Sequence, residues 1–135
     1  MNLSEHFTLD EFLHSEAANK HGIRMLPPQQ AVANLRLLVT HVMQPLRYAV
    51  GRIQITSGWR PPEVNRLVGG ASRSDHVQGR ACDFRPLDVD YIEAGKVLET
   101  MSFDQLIYYH AEHRLHVGYR HGKNRQQVLH KQQGG

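Results

Sequence analysis

Ser74-Asp75-His76-Val77-Gln78-Gly79-Arg80-Ala81-Cys82-Asp83 is the stretch around which the rest of the chain is read. It runs from a polar, glycine-containing turn into small and apolar residues, which places His76 in a loop and Asp83 in a strand. A later histidine, His116, sits in Leu115 to Tyr119, another expected strand. Zinc takes imidazole nitrogen and carboxylate oxygen in a tetrahedral arrangement, and catalytic sites commonly use three protein ligands plus one water. His76, Asp83 and His116 supply that set, and Gly79 lets the backbone turn tightly between the first two. The pattern alone favours a plainer reading, in which these residues cap turns or face solvent.

Outward from this stretch, Ile53-Gln54-Ile55-Thr56 alternates and is β-branched, so it reads as a strand ending at Ser57-Gly58. Upstream, Pro27-Pro28 open an amphipathic segment in which Val32, Leu35, Leu38, Val42 and Leu46 recur at helical spacing. This is the expected core helix; Pro45 removes one of its hydrogen bonds and predicts a kink or an end nearby, with Gly51 as the later end. Thr8-Leu9-Asp10-Glu11 has the capping-box pattern of a short first helix that His21-Gly22 stops. Arg60 to Arg80, with two prolines and three glycines, reads as a long loop of the kind that carries function. Ala81 to Phe84, Leu106 to Tyr109 and Leu115 to Tyr119 read as strands, and Asp90 to Met101 as a helix. The order predicts a single α+β domain over residues 1–119, with a small, largely antiparallel sheet, helices packed on one side and a metal site in a cleft. Residues 120–135 are polar and aperiodic and read as a mobile tail.

A chain of 135 residues with 40% hydrophobic content fits one domain with one core. A single cysteine, Cys82, excludes an intramolecular disulfide and a thiolate zinc site, and alternation directs it away from Asp83 into the core. The net charge of +3 is spread without a basic-aromatic stripe, so no nucleic-acid partner is expected. The opening residues lack a basic segment followed by an apolar run, and no stretch approaches the ~20 apolar residues of a membrane span. The expectation is therefore a protein with no signal peptide and no membrane partner. Trp59, Tyr108, Tyr109 and Tyr119 either line a groove or pack the core.

Four pieces, taken in order, resemble the zinc D-alanyl-D-alanine carboxypeptidase family, which includes bacteriophage peptidoglycan endopeptidases (endolysins). They are Ile55-Thr56-Ser57-Gly58-Trp59-Arg60, Asn65 to Gly70, Ser74 to Asp83, and His116-Val117-Gly118-Tyr119. The opening from Leu3 and the stretch Phe103 to His110 are also similar to phage members. The resemblance implies a carboxypeptidase or hedgehog-like fold and a Zn2+ held by His76, Asp83 and His116. It further implies hydrolysis of a D-Ala-D-Ala or L,D-type bond in the stem peptide of peptidoglycan. Arg60 then faces a substrate carboxylate, for which a planar guanidinium is suited; without the resemblance it reads as a surface salt bridge. Ser74 either contacts substrate or fixes the loop.

The family usually places Glu or Asp three residues before the last zinc histidine, and here that residue is His113. Glu112 competes for the role of base: in a strand beginning at Glu112 it shares a face with His116, whereas a turn there reverses the choice. The alternative is a phage structural or wall-binding protein that keeps fold and metal without turnover. Other virion proteins would then be partners. The expected location is the host cytoplasm until lysis, or the phage particle, with action on the cell wall.

Overall fold

The computed structural model describes residues 1–71 and 73–133. Its centre is the apolar periodic segment predicted from the sequence, which forms α2 (Gln29–Leu38) and α3 (Gln44–Val50), joined by a π-helical turn at Val39–Met43. Pro45 neither ends nor breaks the run. The ring of a proline displaces the carbonyl four residues earlier, here His41, and the wide turn that contains His41 gives it room. Gly51, at φ +89°, then ends the helix. Leu35, Leu38, Val42 and Leu46 are fully buried, each contributing about 1.5–3 kcal/mol.

A short 3-10 turn at Leu9–Phe12 stands where the first helix was expected, and Glu11 Oε1 accepts from the Thr8 amide at 3.0 Å as the capping pattern requires. A one-turn α1 follows (Glu16–Lys20), ending at His21. Five strands, β1 (Ile53–Ser57), β2 (Ala81–Pro86), β3 (Gln105–Tyr109), β4 (Arg114–Gly118) and β5 (Gln127–Lys131), form one sheet in the order β1-β2-β4-β3-β5. All pairings are antiparallel except β3 with β5. The register puts Asp83 of β2 opposite both Ser57 of β1 and His116 of β4. Alternation sends Cys82, Phe84, Leu106, Leu115 and Val117 into the core, and Asp83, Arg114 and His116 to the other face. Asp90 caps α5 (Tyr91–Leu98) through its side chain, and α5 packs against β2, β3 and β4.

Two expectations are corrected. The Arg60 to Arg80 loop contains a helix, α4 (Pro62–Leu67), because Pro62 stands at the first turn, where no amide proton is needed, and Val64 and Asn65 are buried. The expected tail contributes β5 instead. Buried Asp104 accepts from the backbone and side chain of Arg125, which turns the chain back so that Gln127 donates to the Asp104 carbonyl at 3.0 Å and enters the sheet edge. Gly134 and Gly135, part of that expected tail, lie outside the described residues. Among the described residues no helix is long and apolar enough to cross a membrane.

Candidate metal centre

His76 reaches the sheet because its loop is fastened at several points. Its Nδ1 lies 2.7 Å from the carbonyl of Gly58, its amide donates to Ser74 Oγ at 3.2 Å, and its own carbonyl accepts from the Arg60 amide at 3.1 Å. Ser74 is thus a loop-fixing residue in this structure. Trp59 is buried, with Nε1 donating to the Val77 carbonyl at 3.0 Å, so it packs beneath the loop and does not line a groove. Gly79, at φ +73°, closes the turn so tightly against α2 that a Cβ would stand 2.4 Å from the Ala31 carbonyl oxygen.

The Gly58 carbonyl can only accept, so Nδ1 of His76 carries the proton and Nε2 presents a bare lone pair to the sheet face. That Nε2 is 3.4 Å from Asp83 Oδ1, and His116 Nδ1 is 2.8 Å from the same oxygen. One donor atom from each of His76, Asp83 and His116 falls within 4.8 Å of the other two. Ligand atoms about 2.0–2.1 Å from a tetrahedral zinc stand roughly 3.3 Å apart, so the His76–Asp83 separation already has the edge length of such a site. The second carboxylate oxygen, Oδ2, takes a 2.9 Å ion pair from Arg114, leaving Oδ1 for the shared centre. Two nitrogen donors, one oxygen donor and an outer partner on the carboxylate fit a zinc ion.

Burial governs the charge states. It lowers the pKa of His76, against the attraction of Asp83. Burial by itself would raise Asp83, but the adjacent His76 and His116 outweigh it and hold the carboxyl well below its usual range. The Cys82 thiol, on the opposite face, is pushed up by burial and is an inert core group.

A cleft of about 660 Å³ opens over this face, and Arg60, Asp83, Arg85, Arg114, Thr56 and Ser57 contribute to its lining. Burial lowers the pKa of Arg60, with Asp83 opposing, and its Nε is buried without a hydrogen-bond partner. The arginine is therefore part of the cleft and forms no salt bridge with any described residue. Residues 110–113 form the turn between β3 and β4, so the strand starts at Arg114 and not at Glu112. His113 takes φ +53° and stacks on Tyr91 of α5, ring centres 4.8 Å apart, on the helix side of the sheet. Glu112 is half-buried, and its carbonyl accepts from Arg85 Nε at 3.3 Å. Its carboxylate acts on the Tyr109 hydroxyl, which burial, Asp83 and Glu112 push up against Arg114 and Arg60. The turn therefore does not reverse the choice as expected from alternation: it carries His113 onto Tyr91, while Glu112 stays beside Arg85, which lines the cleft.

Arg114 is the site residue that sequence reading missed. Its signal was present, since it precedes His116 by two residues and alternation puts both on one face. Tyr109 belongs to the same group, lying under the Arg114 guanidinium at 4.2 Å, whereas Tyr108 is buried in the core.

A small α+β domain with a convergent His-Asp-His group beneath an arginine-lined cleft is the architecture of a metallopeptidase. The chain belongs to the Peptidase M15 family, whose profile matches residues 5–118. No curated protein gives a significant match over the chain.

Proposed function

We propose that the protein is a zinc-dependent peptidase that hydrolyses a peptide bond in the stem peptide of bacterial peptidoglycan, of D-Ala-D-Ala carboxypeptidase or L,D-endopeptidase type and phage-derived. The convergence of His76 Nε2 and His116 Nδ1 on Oδ1 of Asp83, which lines the cleft, carries this reading, together with membership of a peptidase family.

His76, Asp83 and His116 would hold the zinc, which when bound lowers the pKa of a water toward ~7 and polarises a carbonyl. The remaining work falls to the chain. The Gly58 carbonyl fixes the His76 tautomer, and Arg114 orients Asp83. Arg60 offers its unpartnered Nε to a substrate carboxylate, an interaction that also compensates the burial of its charge. Glu112 accepts the proton from the attacking water and returns it to the leaving amine. His113, held on Tyr91, is not the base.

The test is release of new amino groups from purified peptidoglycan by zinc-loaded protein. Comparison of Glu112→Gln with His113→Gln at equal zinc content then separates the two candidates. Loss of at least 100-fold in kcat in Glu112→Gln alone is expected. Zinc binding without amino-group release supports the wall-binding alternative, and loss only in His113→Gln overturns the assignment of the base.

A further inference from the structure

A second concavity, of about 270 Å³, lies where α2 meets the segment after β4. Arg80, Arg120, Lys123, His121, Tyr119 and Asn34 contribute to its lining, and no described carboxylate does. Its cations differ in how they are balanced. Arg120 is fixed by Asp75, with Nη2 2.9 Å from Oδ1, and by Asp104, with Nε 3.4 Å from Oδ2. Asp104 is itself shared with Arg125 at 2.9 Å. Arg80 and Lys123 form no ion pair with any described carboxylate.

Hydrogen bonding gives the concavity one polarity. Tyr119 Oη lies 3.1 Å from His121 Nδ1, so the two polar groups satisfy each other. The Asn34 amide donates to the Gln78 carbonyl at 2.9 Å, while its oxygen is taken by Gln30 at 3.2 Å. Arginine and lysine N–H groups around a concavity whose described lining holds no carboxylate select an anion. Tyr119 is buried and stacked on His41 at 5.1 Å, which makes one wall firm. The Tyr119 amide donates to the Arg80 carbonyl at 2.8 Å, tying the two walls together.

We propose that this concavity is a binding subsite for a phosphate group of an anionic polyol or sugar-phosphate polymer, holding the enzyme on phosphate-bearing cell walls while the cleft on the other sheet face acts on stem peptide. The choice of a phosphate polymer rests on the peptidoglycan reading; the selection of an anion rests on the donors. A duplex is disfavoured because two unbalanced cations in a small concavity suit one phosphate, whereas a nucleic-acid surface needs an extended row of cations.

The experiment uses the full zinc-loaded chain and measures affinity for poly(glycerol phosphate), uncharged polyglycerol, inorganic phosphate and a short DNA duplex. Lys123→Ala, Arg80→Ala and the pair are compared, since exposed Lys123 can be replaced without disturbing the fold. Saturable, salt-sensitive binding of the phosphate polymer is expected, at least tenfold weaker in the pair, with amide shifts confined to Arg80 and residues 119–123. Hydrolysis of a small soluble stem peptide is expected to stay unchanged in these variants, while release from phosphate-bearing walls falls. Equal affinity for uncharged polyglycerol, unaltered binding in the pair, or tighter binding of DNA overturns the proposal. Inorganic phosphate binding as tightly as the polymer overturns the polymer assignment. Polymer binding in a protein that releases no amino groups would refute the peptidase reading and leave the subsite standing.

Discussion

Gly79→Ala probes the contact that holds the His76 loop against the core. Gly79 combines φ +73° with a backbone so close to α2 that a methyl group would meet the Ala31 oxygen at 2.4 Å and its carbonyl carbon at 3.0 Å. Gly22 has a similar φ of +66° but open space around it, so Gly22→Ala isolates the conformational part. A left-handed residue with a Cβ costs about 1–2 kcal/mol, offset by about 0.4–1 kcal/mol from the stiffer unfolded chain. Gly22→Ala should therefore cost about 1 kcal/mol. An ordinary carbon–oxygen contact is about 3.3 Å, so Gly79→Ala must displace the loop or α2 by close to 1 Å, adding about 1–3 kcal/mol of strain. The expected total is about 2–4 kcal/mol, or roughly 6–12 °C in Tm against about 3 °C for the control. Because the same turn joins His76 to Asp83, zinc affinity should fall as well. Urea and thermal unfolding of both variants, with zinc titration, make the comparison. Gly79→Ala within about 0.5 kcal/mol of Gly22→Ala, with zinc binding intact, would refute the close approach and the positioning argued from it.

Arg60→Ala should raise KM for carboxylate-bearing peptides about tenfold or more at unchanged zinc content, and Arg60→Lys should recover only part of the loss, since the bidentate fork is gone; steady-state kinetics with the carboxylate and its amide analogue decide it. In metal-free protein, the lowered pKa of His76 means that the unfolded chain takes up a proton first, so stability should decline as pH falls below about 6.5. The depressed Asp83 acts in the same direction, its contribution present above the unfolded value of ~3.9 and lost on acidification below it. Urea midpoints across pH 3–8 test both, and Asp83→Asn should flatten the acid branch while steepening the His76 branch, since the attraction that opposes burial of the imidazolium is lost. Ending the chain at Arg125 removes β5 and exposes the β3 edge; a loss of about 2–4 kcal/mol is expected from a few ladder bonds of about 0.5–1.5 kcal/mol each. An unchanged melting curve would mean that the strand does not stabilise the sheet.

Most strands and the core helix were legible because their signals are local. Ile53 to Thr56 and Leu115 to Val117 carry the two-residue period, and Val32 to Leu46 the helical one. β5 was not legible, since Gln127–Lys131 is polar at both ends and becomes a strand only through the open β3 edge. α4 was hidden for a related reason: Pro61, Pro62, Gly69 and Gly70 give a loop composition, while burial of Val64 and Asn65 is a tertiary fact. At the site, His76, Asp83 and His116 were assigned through the resemblance to a known family, the spacing alone leaving a plainer reading open, and the structure brings them together. The choice between Glu112 and His113 could not be read, because residues 110–113 form a turn in which alternation no longer applies, and the left-handed His113 goes to Tyr91. The basic concavity escaped for a different reason. Arg80 and Lys123 are far apart in sequence and meet only after β2 and β4 pair.

One zinc ion, held by His76, Asp83 and His116 and used for hydrolysis, is the centre of the proposed function. Elemental analysis of purified protein, paired with amino-group release from peptidoglycan before and after chelation, tests it most directly. One zinc per chain, lost in folded His76→Ala and His116→Ala, with release abolished by chelator and restored by zinc, is the expected result. Full zinc content in either folded variant, or release that persists without metal, would contradict it.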